Sequence, residues 1–129
     1  MNKPHSFHKQ ERIVSQKIVD ELFSGTSSQS LAAFPVRAVY IIKERTHEEP
    51  AVQVLVSVPK RRLKHAVDRN RVKRQLREAY RQQRELLAAT LPADRCLKVA
   101  FVWLSNQHFP SADVASRVSN LLLRIARKL

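Results

Sequence analysis

A chain of 129 residues, 43% of them hydrophobic, has the size and composition of one domain with its own core. Its 24 Lys and Arg against 11 acids give a net charge of +13 and a pI near 10.9, which points to a polyanionic partner. The single glycine, Gly25, excludes a Walker loop and a dinucleotide fingerprint, and the single cysteine, Cys96, excludes an internal disulfide framework.

Residues 1–11 are polar and expected to fray at the start of one domain spanning 1–129. No apolar run marks a signal peptide and no stretch approaches the length of a membrane span, so the expected location is cytoplasmic, with no membrane partner. From Ser15 to Phe23, the residues Ile18, Val19, Leu22 and Phe23 recur at helical spacing, with Ser15 as cap and Gly25 just past the end. A Ser/Thr-rich loop, 26–30, follows. Phe34 to Lys43 reads as a strand, with Val36, Ala38, Tyr40 and Ile42 on the face of Phe34 and Arg37, Val39 and Ile41 on the other. Ala51 to Val58 alternates cleanly, Val52, Val54, Val56 and Val58 against Gln53, Leu55 and Ser57. The short, charged connection between them predicts an antiparallel pair. A helix is predicted from Val67 to about Ala89. The run Leu97 to Leu104 is predominantly apolar on both faces and reads as a central strand, with Cys96 as a small apolar residue at its start. The last helix, about Ser111 to Lys128, carries the stripe Val114, Val118, Leu121, Leu122 and Ile125, with Ser111 as its cap. The predicted fold is α+β, a small mixed sheet sandwiched with helices in the order α-β-β-α-β-α.

Charge is concentrated in residues 59–84, which hold eleven Lys or Arg and two acids, a net +9 of the total +13. At 100° per residue, Val72, Leu76, Ala79, Tyr80, Gln83 and Leu87 share the buried third of the helix. Asn70, Lys73, Arg74, Arg77, Arg81 and Arg84 fall on an adjacent arc, with Arg69 at its border and Arg71 on its flank. Glu78 and Glu85 are expected to lie beyond this arc without interrupting it. An ordinary solvated face would intersperse acids at i,i+4 spacing, and this one does not. A polyanion offsets the self-repulsion, whereas a membrane-surface helix would carry a Trp or Phe anchor. Lys60, Arg61, Arg62 and Lys64 extend the strip toward the helix N-terminus, which itself attracts phosphate. Arg69 and Arg71 can fork onto phosphate oxygens, and Asn70 can read a base edge or a 2′-hydroxyl.

The block Val56-Ser57-Val58-Pro59-Lys60-Arg61, followed by Arg69-Asn70-Arg71-Val72-Lys73-Arg74 and Leu76-Arg77-Glu78-Ala79-Tyr80-Arg81, closely resembles the protein subunit of bacterial ribonuclease P. The resemblance extends to chain length and element order. It implies a subunit of a ribonucleoprotein endoribonuclease that removes the 5′ leader from precursor tRNA. In such an enzyme the partner RNA performs the hydrolysis, with Mg²⁺ held mainly by that RNA and the substrate. It implies RNA contacts by Lys60, Arg61, Arg69, Asn70, Arg71, Lys73, Arg74 and Arg77, to which the charge pattern adds Arg62 and Arg81, and one protein per RNA is expected. It further implies a leader-binding cleft between the first helix and one sheet face, with Phe23, Gln53 and Ser57 lining it. An aromatic ring and sheet-face polar groups suit an extended single strand, while Phe23 equally fits an ordinary core aromatic. Tyr40 and Trp103 are read as core. A left-handed β-α-β crossover is also implied, against the usual right-handed rule. Departures from the pattern lie at Leu55, where the family has Gly, and near Arg62, where one residue is inserted and a second family Gly is absent.

Nothing points to catalysis by the chain itself. His5, His8, His47, His65 and His108 show no metal-ligand spacing, Glu44, Glu48 and Glu49 sit in a turn, and Cys96 has no evident His partner. A structural RNA binder of ribosomal type is the second reading. A DNA-binding helix is the third, weakened by the lack of a preceding helix in a helix-turn-helix.

Overall fold

A computed structural model describes residues 16–25, 27–46 and 50–129. The elements are α1 (Gln16–Ser24), β1 (Gln29–Ala33), β2 (Val36–Glu44), β3 (Val52–Ser57), α2 (Ala66–Thr90), β4 (Arg95–Trp103) and α3 (Ser111–Ala126). The α+β class and the mixed sheet agree with the sequence reading. The expected frayed residues 1–11, the cap Ser15 and His47, Glu48 and Glu49 lie outside the described residues.

Four strands form one sheet in the order β1-β2-β4-β3. This corrects two expectations. Residues 29–33, of which 29 and 30 read as loop and 31–33 belong to no predicted element, form an edge strand antiparallel to β2, with Leu31 opposite Ala38. Their polarity hides the strand. It is held by partners elsewhere: the Tyr40 hydroxyl donates to Gln29 Oε1 at 3.0 Å, and Arg124 donates to the Ala32 carbonyl at 3.0 Å. The second correction concerns β2 and β3, which do not pair. β4 lies between them, antiparallel to β2 with Tyr40 opposite Val99 and parallel to β3 with Val54 opposite Val99. The most apolar strand takes one of the two inner positions, so no edge of it meets water.

Both sheet faces are covered. Toward α2 and α3 point Val36, Ala38, Tyr40, Val54, Val56, Val99, Phe101 and Trp103. These meet Val72, Leu76, Ala79, Tyr80 and Leu87 of α2 and the α3 stripe from Val114 to Ile125. Tyr40 and Trp103 are fully buried. The opposite face holds a smaller cluster, Leu22 with Val39, Ile41 and Ala100, flanked by Ile18, Val19 and Leu55, and α1 covers it. An ion pair between Lys43 Nζ and Glu21 Oε1 at 3.0 Å ties α1 to the end of β2.

The helix ends differ from expectation in detail. Gly25 has no positive φ; its N–H still bonds the Glu21 carbonyl at 3.2 Å. A Cβ there would lie 2.4 Å from that oxygen, so close approach rather than a left-handed turn demands glycine. The cap of α3 is Pro110, and Ser111 is the first helical residue, its hydroxyl instead accepting from Gln75 Nε2 at 3.0 Å. At the end of α2 the Leu91 N–H closes on the Leu87 carbonyl, and Pro92, which cannot continue a helix, follows.

Candidate nucleic-acid interface

The topology brings several segments to one end of the sheet. Because β3 and β4 are parallel and β2 opposes them, the C-terminal ends of β3 and β4 meet the start of β2. From β3 the chain passes through the loop at 59–65 directly into α2. This loop is a single tight turn: Arg62 N and Leu63 N both bond the Pro59 carbonyl, at 2.9 and 3.3 Å, and Leu63 is buried beneath it. Lys60 and Arg61 are left exposed and Arg62 half-buried.

Along α2, whose 25 residues span roughly 37 Å, the cationic arc faces away from the core. Asn70, Arg71 and Arg74 are exposed, and Lys73, Arg77 and Arg81 are half-buried. Members of the arc also have internal duties. Arg69 donates from one guanidinium nitrogen to the carbonyls of Leu63 (3.1 Å) and Lys64 (2.7 Å), so it clamps the loop to the first turn of the helix. Arg81 forms a two-point ion pair with Glu78, its Nε 2.9 Å from Oε2. That pair corrects the expectation of an uninterrupted strip. The hydrogen bond from Arg81 holds the Glu78 carboxyl below its ordinary range, and the same contact raises the Arg81 guanidinium. Cationic density is thereby thinned at Arg81, one residue past the family-like block's Tyr80. It stays undiluted around Arg71, Lys73 and Arg74.

Between α2 and the start of α3 lies a groove of about 410 Å³ lined by Arg71, Arg74, Gln75, Glu78 and Ser111. Gln75 bridges its floor, donating to the Phe109 carbonyl and the Ser111 hydroxyl, each at 3.0 Å. Nearby His108 Nε2 lies 3.0 Å from Asp68 Oδ1, fastening the 104–110 loop to the first turn of α2.

The other sheet face offers a second surface. Register places Gln53, Lys98 and Ile41 in one row, Leu55, Ala100 and Val39 in the next, and Ser57, Val102 and Arg37 in the third. α1 packs over the middle row and leaves the third beyond it. Phe23, at the end of α1, is 47% exposed, so it is not a core aromatic. Leu55 fills toward α1, making the cleft shallower there than a glycine would. Gln53 is gripped by Lys98, whose Nζ lies 2.6 Å from Oε1 although Lys98 is only 3% exposed. An ammonium has no acceptor, so the amide oxygen must face it, and the Gln53 Nε2 is the atom left for a visitor. The sequence reading did not single out Lys98, which shares this row with Gln53. Its signal was a lone charge inside the run 97–104.

The site does not have the donors for a protein-held Mg²⁺. The α2 groove carries one carboxylate, Glu78, already paired with Arg81, among guanidinium, amide and hydroxyl groups, where that ion requires several oxygen ligands in octahedral array. Among the described residues, no three His, Cys, Asp or Glu cluster as a metal site. None of their helices is long and apolar enough to cross a membrane.

Comparisons with known proteins agree with this geometry. The family model for ribonuclease P matches residues 7–125. The chain is 33% identical over 129 residues to a ribonuclease P protein component of Porphyromonas gingivalis, covering 98% of this chain and 92% of that one. It is also 33% identical to that of Chlorobium phaeobacteroides, covering 94% and 88%. Its fold matches the solved ribonuclease P protein of Staphylococcus aureus with a TM-score of 0.67 at 17% identity, over 90% of this chain and 94% of that one. The Thermotoga maritima protein matches with a TM-score of 0.65 at 18% identity, over 88% and 96%. A family match over nearly the whole length, with one-third identity to relatives of similar size, makes this chain a member of the ribonuclease P protein family, the protein component of a ribonucleoprotein endoribonuclease.

Proposed function

We propose that the chain binds the ribonuclease P RNA through the exposed face of α2 and the turn at 60–62, and holds the single-stranded 5′ leader of precursor tRNA in the cleft beneath α1. Membership of the family implies service in the 5′ processing of tRNA. The observation that carries the finer reading is the joining of two surfaces by the turn at 59–65. A cationic helix face lies on one side of it, and on the other a sheet face that α1 covers only in part, with an exposed aromatic at the end of that helix. Arg71, Lys73 and Arg74 neutralise backbone phosphates of the partner, and Asn70 reads a base edge or a 2′-hydroxyl among them. Lys60 and Arg61 carry the field across to the cleft, with Arg62, Arg77 and Arg81 at its margins and Arg69 holding the turn in place. In the cleft Phe23 stacks on a leader base while Gln53 and Ser57 hydrogen-bond along the strand.

Hydrolysis is assigned to the RNA, and Mg²⁺ to RNA and substrate oxygens, since the protein's own lining would repel the ion. The complex is taken as one protein per RNA, in the cytoplasm. Reconstitution tests the reading: the chain is mixed with a ribonuclease P RNA at low Mg²⁺ and cleavage of precursor tRNA is followed. Stimulation of cleavage is expected, and its absence with a folded protein overturns the proposal.

A further inference from the structure

We propose that Phe34 is a second stacking seat, separate from the leader cleft, for an unpaired nucleotide of the partner RNA. The inference rests on the proposed binding of that RNA by α2.

Phe34 stands in the turn between β1 and β2 and is 60% exposed, which strands a large ring in water. It is nonetheless held from both sides. Its ring meets Phe109 edge-to-face, centroids 6.0 Å apart, and Phe109 in turn meets the fully buried Trp103 edge-to-face at 5.7 Å. Its carbonyl accepts from Arg117 Nε at 3.0 Å, and the next carbonyl, of Pro35, accepts from Leu104 N at 2.8 Å. An exposed ring with a fixed backbone and a buttressed edge has little freedom left to lose on stacking, so a base that lands on it incurs less of the ordering cost.

Position argues for the occupant. Val36 pairs with Trp103, so the Phe34 turn lies at the same end of the sheet as the start of α2 and the turn at 59–65. The bond from Gln75 to the Phe109 carbonyl links the aromatic stack to the groove that Arg71 and Arg74 line. A strand whose phosphates lie on Arg71 and Arg74 therefore has the ring one groove away, with the Arg117 guanidinium beside it. Cations flanking an exposed aromatic suit an unpaired nucleotide, with phosphate on the arginines and base on the ring. The 5′ leader is assigned elsewhere because its cleft is on the α1 face, while Phe109 and α3 lie on the other.

The test compares Phe34→Leu with Phe34→Tyr in binding to ribonuclease P RNA without substrate, with thermal unfolding measured on each. Loss of one base stack predicts that Phe34→Leu weakens affinity roughly fivefold or more, while Phe34→Tyr stays near the parent and both keep its melting temperature. Equal binding by parent and Phe34→Leu overturns the seat while leaving RNA binding by α2 standing. Failure of the parent itself to bind overturns the underlying reading instead. A loss in Phe34→Leu matched by Phe34→Tyr, or seen only with leader-bearing substrate, also sinks the assignment to partner RNA.

Discussion

Replacing Leu22 by Ala should release α1 without unfolding the rest of the domain. Leu22 is 1% exposed and is the only α1 residue buried in the smaller cluster; Ile18 and Val19 merely flank it. Buried Leu→Ala changes cost about 2–5 kcal/mol. The lower half applies here, about 2–3 kcal/mol, because the site is one helix thick and can collapse toward solvent. Among the described residues, the polar tie from Glu21 to Lys43 joins two partly exposed side chains and contributes about 0.2–1 kcal/mol, too little to hold the helix. A nine-residue helix is not stable by itself, so an undocked α1 unfolds. Native-state hydrogen exchange reads this directly. Amides of α1 should lose protection by roughly 30- to 150-fold, the factor equivalent to that energy. Amides of α2 and β4, on the larger core, should keep theirs. Equal loss in α1 and α2 would show that the two clusters form one cooperative unit and refute the reasoning. The same variant should lose preference for leader-bearing substrate while still binding RNA.

Arg71→Ala and Arg74→Ala should each weaken RNA affinity and flatten the salt dependence by on the order of one unit of log–log slope per lost phosphate contact, read from titrations at several salt concentrations; an unchanged slope places them off the RNA. Glu78→Gln should act in the opposite sense, raising affinity and steepening the slope as Arg81 is released from its pair. The lowered carboxyl of Glu78 gives this a pH signature. The pair's stabilisation is present above the ordinary carboxylate range and is lost as pH falls through the depressed folded value, so parent and Glu78→Gln should converge in acid. Phe23→Ala should reduce affinity for precursor tRNA more than for mature tRNA; equal loss for both would assign the ring a merely structural part.

Legibility of the chain in its sequence followed periodicity. The α2 wheel placed Val72, Leu76, Ala79, Tyr80, Gln83 and Leu87 inside, and all are buried except Gln83, which is half-buried; the run at 97–104 announced a central strand, and β4 lies between two others. Where tertiary partners supply the reason, periodicity was silent. β1 is Gln-Ser-Leu-Ala-Ala, a poor strand by composition, and exists because Tyr40, Arg37 and Arg124 hold it. Pairing of β2 with β3 followed from a short connection, but a strand formed later in sequence intervened, and nothing local encodes that. For the interface, charge alone could not say that Arg69 turns inward to the Leu63 and Lys64 carbonyls, or that Glu78 captures Arg81. The family pattern brought Phe23, Gln53 and Ser57 together on paper; the sheet register puts the latter two in rows on the α1 face.

The place of β4 in the sheet bears on how the protein is born. It is the next-to-last element made and one of the two inner strands, so on the ribosome neither β3 nor the inner edge of β2 has its neighbour until residue 103 has emerged. The hairpin of β1 and β2 can close early, but the basic α2 is complete before the sheet it packs on. For that interval a nascent chain presents its cations with no core behind them, and any polyanion nearby can engage them. The order of synthesis thus completes the charged helix before the inner strand that its sheet needs, so the cations are made ahead of the hydrophobic interior that the helix packs on.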